Sequence, residues 1–252
     1  MDRRLALSFL LAVPLALTAA QAGAADINVV AAAAVKEPFE KLAADFSRET
    51  GHQVHAIFGP VGGMQTKILT GEKADVIILS AAGLDALDKD HYILAGTRTE
   101  LGRATAGVGV KSGAAQPDIS TPDAFKKTLQ AARTVAYTNP AAGGTAGIYM
   151  TGLLEKLGVA DEVKKKALLQ PSGGAVADAV ADGSAEIGIS FTSELMPNKG
   201  VKVVGPLPQG IGLVVTYVAG VASKSEQAEA ARALITYMTR PASHDHFKEA
   251  GL

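Results

Sequence analysis

The chain contains no cysteine and no tryptophan, and only 5% of its residues are aromatic. Without cysteine there is no disulfide, so stability has to come from an apolar core. A chain of 252 residues is long enough to bury one, or to divide into two lobes. Few aromatics and no tryptophan argue against a platform that stacks sugars. Charge of one sign is also missing. The formal net charge is −1, moving to −2 once Asp2, Arg3 and Arg4 are removed, and there is no basic block. Nucleic acid is therefore not an expected partner.

Long apolar runs are absent too, except at the start. MDRR, the apolar LALSFLLAVPLALTAA and the small-residue AGA at Ala22–Ala24 have the three parts of a secretory signal peptide over residues 1–24. Pro14 breaks a segment already short for a membrane span. No cysteine stands at the cleavage site, which excludes a lipoprotein anchor. The expectation is a soluble exported protein beginning near Ala25, in the periplasm.

What is present is alternation. DINVVAAAA reads as a buried strand. KEPFEKLAADFSRETG reads as an amphipathic helix, with Phe39, Leu42, Ala43 and Phe46 on one face and Gly51 as its stop. HQVHAIFG, MQTKILTGE, ADVIILS and AGLDALDKDHYIL continue as strand, helix, strand, helix. That order predicts an α/β fold, with a mostly parallel sheet between helices. The small-residue strand RATAGVGVKSG breaks the series. A second one follows: TPDAFKKTLQAA with its Thr121–Pro122 cap, TVAYTNP, GGTAGIYMTGLLEKLG, ALLQPSGG, AVADAVADG and AEIGISFTSEL. GIGLVVTYVAGVAS and the helix EQAEAARALITYM close the chain. The expected organisation is two lobes, 25–105 with 218–252 and 106–217, joined by crossings near 103–110 and 212–221.

Ligands in open α/β sheets collect outside the carboxyl ends of strands. That rule selects Ala32–Val35, Gly59–Met64, Ser80–Gly83, Asn139–Thr145, Ser172–Ala175 and Phe191–Glu194. In FGPVGGMQTKI, Phe58–Ile68, two adjacent glycines stand where a helix begins. Bare backbone at a helix N-terminus suits an anion, and several such starts facing one cleft would suit it better. The expected ligand wall is Ala33, Ala34, Val61, Gly62, Gly63, Ser80, Ala142, Thr145, Gly173, Phe191 and Thr192. Lys and Arg are almost absent from these loops, so neutral donors would carry the charge.

Catalytic patterns are harder to find. His52, His55, His91, His244 and His246 lie outside the selected loops, and His244 with His246 lacks a third metal ligand. No metal and no cofactor is expected. GVGVKSG lacks phosphate-loop spacing.

From Ile27 to Gly251 the chain resembles periplasmic molybdate-binding proteins, the substrate-binding components of ABC importers. INVVAAAAVKEPFEKLAADFSRETG, FGPVGGMQTKILTGEKADVIILSA, NPAAGGTAGIY and AVADGSAEIGISF carry the likeness. It implies a two-lobed periplasmic-binding-protein fold with two crossover hinges, a small anionic ligand, an ABC permease as partner and a monomeric state. Where that family places hydroxyls on the oxyanion, this chain has Ala34, Val61 and Phe191. Backbone donors would remain near Ala142 and Gly173. Each lost donor costs about 1–3 kcal/mol, which turns the expectation from molybdate toward a carboxylate.

QPDISTPDAFKKTLQAARTVAY, Ser193–Leu195 and TYVAGVASKSEQAEAARALITYM are also similar to the branch that contains bacterial aconitate isomerases. That likeness implies an alternative, the interconversion of cis and trans unsaturated tricarboxylates. Allylic proton transfer needs an acid–base group, and Glu194 and Tyr149 are the candidates. No base is evident from sequence, which favours the binding protein over the enzyme.

Overall fold

The computed structural model describes residues 23–252. The leader expected over residues 1–24 falls almost entirely outside them.

β1 (Asp26–Ala32) runs through a 3-10 turn at Ala33–Val35 into α1 (Lys36–Thr50), followed by β2 (Gln53–Gly59), α2 (Val61–Leu69), β3 (Val76–Ser80) and α3 (Ala81–Lys89). β1 pairs in parallel with both β2 and β3. α1 covers this sheet because its apolar residues recur at helical spacing. Phe39, Leu42 and Phe46 are each 1% exposed, and each such side chain contributes about 1.5–3 kcal/mol when buried. Gly51 ends the helix at φ +80°, which other residues reach only with strain.

β4 (Thr99–Lys111) is followed by α4 (Pro122–Ala131), β5 (Val135–Thr138), a 3-10 turn at Pro140–Ala142, α5 (Thr145–Lys156), α6 (Ala160–Lys164), β6 (Ala167–Gln170), α7 (Gly173–Asp182), β7 (Ile187–Phe191), α8 (Thr192–Leu195) and β8 (Val201–Pro206). β5 pairs in parallel with β6 and β7. The chain closes with β9 (Val214–Val221), α9 (Ala228–Thr239) and α10 (Pro241–Glu249).

The strand order is β2-β1-β3-β9-β4-β7-β5-β6, with β8 on β4. The two expected crossings are β4 and β9, antiparallel to each other. The first half of β4 pairs with β9 and the second half with β7 and β8. One strand is thus shared by both lobes.

Two expectations needed revision. α2 begins at Val61 rather than Met64, with the Met64 amide already donating to the Pro60 carbonyl at 2.9 Å. Gly62 and Gly63 therefore lie inside the first helical turn. The strand β8, whose short VKVVGP sequence gives little pattern, was not foreseen.

Candidate functional site

The 3-10 turn after β1 and the starts of α2, α5 and α7 converge on a narrow cleft between the lobes. It continues into a wider groove edged by Lys36, Glu37 and Glu40 of α1 and Asp178 of α7. Among the described residues, Lys, Arg and His are absent from those lining the inner cleft. The helix starts bring partial positive charge to this wall, each equivalent to about half a unit.

Of the expected wall, Ala33, Ala34, Val61, Thr145, Gly173 and Phe191 line the cleft. Val61, Thr145 and Ala146 open their helices, where N–H groups have no acceptor within the helix. Val61 also packs over the start of α3, where a Cβ on Gly83 would come within 2.6 Å of its side chain.

The structure places the other expected residues elsewhere. Gly62 meets the opposite lobe. Its amide donates to the Gly143 carbonyl at 3.1 Å, and a Cβ on Gly62 would lie 3.0 Å from the Gly143 Cα. Gly63 has room, with the nearest atom to such a Cβ at 3.8 Å. Ser80 caps α3, accepting from the Gly83 amide at 3.1 Å. The Ala142 amide is used by its own turn, donating to the Asn139 carbonyl at 3.0 Å. Thr192 directs its hydroxyl to the Gly251 carbonyl at 3.4 Å. Tyr149 donates to the Ile211 carbonyl at 3.0 Å and is not among the cleft-lining residues.

Glu194 does line the cleft. α8 follows β7 without a break, so Ser190 at the strand end and Glu194 one helical turn later come together. The Ser190 hydroxyl donates to Glu194 Oε2 at 2.7 Å. The Phe191 and Gly173 amides also face this carboxyl. Burial raises its pKa above the usual carboxylate value, while Ser190 and then the two amides pull the other way. Gly173 is bare for a physical reason: a Cβ there would fall on the Glu194 carboxyl and the Ser190 hydroxyl.

Three polar side chains of the wall were not singled out from sequence: Tyr217, Thr138 and Ser172. Tyr217 is 1% exposed and packs edge-on against Phe191, ring centroids 6.1 Å apart. Its phenol pKa lies well above the ordinary value, through burial first and the Glu194 charge second. A lone tyrosine in the apolar run GIGLVVTYVAGVAS was the signal available. Ser172 caps α7, accepting from the Ala175 amide at 3.2 Å.

This architecture, two lobes joined through β4 around a cleft of helix starts, is the frame in which a solute-binding protein holds its ligand. Residues 27–252 match the family of bacterial extracellular solute-binding proteins, and the chain belongs to it. An aconitate isomerase from Pseudomonas sp. is 30% identical, covering 98% of this chain and 95% of its own. The molybdate-binding protein ModA of Escherichia coli (strain K12) is 30% identical over 89% of this chain and 88% of its own. Among solved structures, the periplasmic molybdate-binding protein of Azotobacter vinelandii superposes with a TM-score of 0.74 at 23% identity, covering 89% of this chain and 97% of that one.

Proposed function

We propose that this protein is the periplasmic, monomeric binding component of an ABC importer, and that it closes its lobes on a small carboxylate anion. The observation that carries this reading is the wall itself. Helix starts supply N–H donors at Val61, Thr145 and Ala146, while Ala34 and Phe191 supply no hydroxyl and Glu194 supplies an acceptor. The Glu194 carboxyl is an acceptor set among these donors, and a tetrahedral oxyanion carrying no proton has nothing to donate to it. A carboxylate can take the helix starts with one end and present other groups to Glu194. Closure removes water and strengthens each fixed dipole.

The test is the thermal midpoint of the purified protein against citrate, both aconitate isomers, molybdate, tungstate and sulfate. A ligand at a hundred times its Kd adds about 2.7 kcal/mol, a rise of roughly 5–10 °C at this size. A rise with carboxylates supports the reading, and a rise confined to molybdate or sulfate removes it.

A second reading is favoured by one observation, the placement of Glu194 and Tyr217 on the same cleft. These are groups that can remove and return a proton in an allylic shift such as the aconitate interconversion. Proton NMR of either aconitate isomer with the protein tests it. Conversion that is lost in Glu194→Gln supports an isomerase, and unchanged spectra exclude it.

A further inference from the structure

We propose that the Glu194 carboxyl group occupies an oxyanion cradle from within the chain, which makes Glu194 the residue that sets the cleft against tetrahedral oxyanions. The inference rests on the reading of this cleft as the ligand site.

The cradle is built for an acceptor-only group. Ser190 is 0% exposed and its hydroxyl donates to Glu194 Oε2 at 2.7 Å. The amides of Phe191 and Gly173 face the same carboxyl. Gly173 opens the ten-residue helix α7, so the positive end of that helix points at the same place. The absence of a Cβ at Gly173 is what lets the carboxyl in, since the Glu194 and Ser190 side-chain atoms fill the volume a Cβ would take. A hydroxyl, neighbouring amides and a helix start suit a tetrahedral oxyanion, and here the hydroxyl is bonded to the Glu194 carboxyl, which lies against Gly173.

Exclusion does not depend on the charge state of Glu194. Ionised, the carboxylate repels an incoming dianion in a cleft whose lining holds no cationic side chain. Protonated, it still fills the cradle and still takes the Ser190 hydrogen bond. An organic carboxylate avoids the conflict by using the starts of α2 and α5 instead.

The experiment compares thermal midpoints of wild type, Glu194→Ala, Glu194→Ser, Glu194→Gln and the double variant Ser190→Ala/Glu194→Ala with sodium citrate, sodium molybdate and sodium sulfate. Wild type is expected to respond to citrate alone. Glu194→Ala gains a rise of roughly 5 °C or more with molybdate or sulfate, a gain of about tenfold or more in affinity. The double variant loses most of it. Glu194→Gln fills the cradle as the protonated carboxyl does, so it is expected to gain no oxyanion response, while Glu194→Ser empties the cradle and gains in the same direction as the alanine variant. A wild type that responds to molybdate as strongly as Glu194→Ala overturns the proposal. So does a Glu194→Ala protein that keeps the citrate response and gains none with oxyanions. No response by any protein to any probe removes the cleft as the ligand site, and the proposal with it.

Discussion

The starts of α2 and α7 look alike in sequence, GPVGG in one lobe and PSGGA in the other, yet their bareness serves different occupants. At α2, Gly62 makes room for the backbone of the opposite lobe at Gly143. At α7, Gly173 makes room for the chain's own Glu194. A glycine at a helix start therefore reports that something comes close. It does not report what. Neither of these two glycines is spared a side chain for a ligand's sake alone.

The largest effect should come from α7. Gly173→Ala drives a Cβ into the Glu194 carboxyl and Ser190 hydroxyl, and is expected to cost about 1–3 kcal/mol, seen as a lower urea midpoint. Glu194→Ala should recover most of that loss, which a double-mutant cycle measures directly.

At α2 the effect should fall on ligand binding more than on folding. Gly62→Val holds the lobes apart, with a larger radius of gyration in small-angle scattering. If the closed fraction drops to about a tenth, affinity drops about tenfold. Gly63→Ala, with 3.8 Å of clearance, should leave both readouts unchanged. Equal losses from the two changes would end the distinction between these neighbours.

A third expectation concerns pH. The raised pKa of Glu194 means the native state holds more protons than the unfolded one between the unfolded value of 4.5 and the native value. Stability therefore falls as pH rises through that window and is not regained above it. Glu194→Gln removes this contribution, so its stability curve should be flatter there than that of wild type, by denaturant titration across pH. The smallest effect sharpens the comparison of caps. α7 has a side-chain cap at Ser172, whereas α2 has none at Pro60. Ser172→Ala should cost about 1 kcal/mol and Pro60→Ala less, both by thermal melting.

Much of the fold was legible because its signals are local. Phe39, Leu42 and Phe46 mark a helix face, continuous apolar residues mark β3, and Thr121–Pro122 marks the start of α4. The carboxyl ends of the strands also led to loops that line the cleft. Which loop residues face the cleft was not legible, since that depends on partners distant in sequence. Gly62 is turned to a carbonyl 81 residues away, and the Ala142 amide is consumed by a 3-10 turn. Tyr217 reaches the cleft only through the antiparallel register that sets it opposite Ser80 and Gly102. Glu194 was singled out because it lies in the turn that follows a strand end. Its ties to Ser190 and Gly173 needed the three-dimensional arrangement.

The position of β9 has a kinetic consequence. It inserts between β3 and β4, pairing Ile78 with Ala219 and Thr99 with the same residue. The lobe built from the first strands thus lacks an inner strand until residues 214–221 have been synthesised. Contacts of such wide sequence separation form slowly. A nascent chain missing its last fifth can pair β1 with β2 and β3 but has nothing to join them to β4. Synthesis alone thereby postpones completion of the first lobe until β9 has emerged.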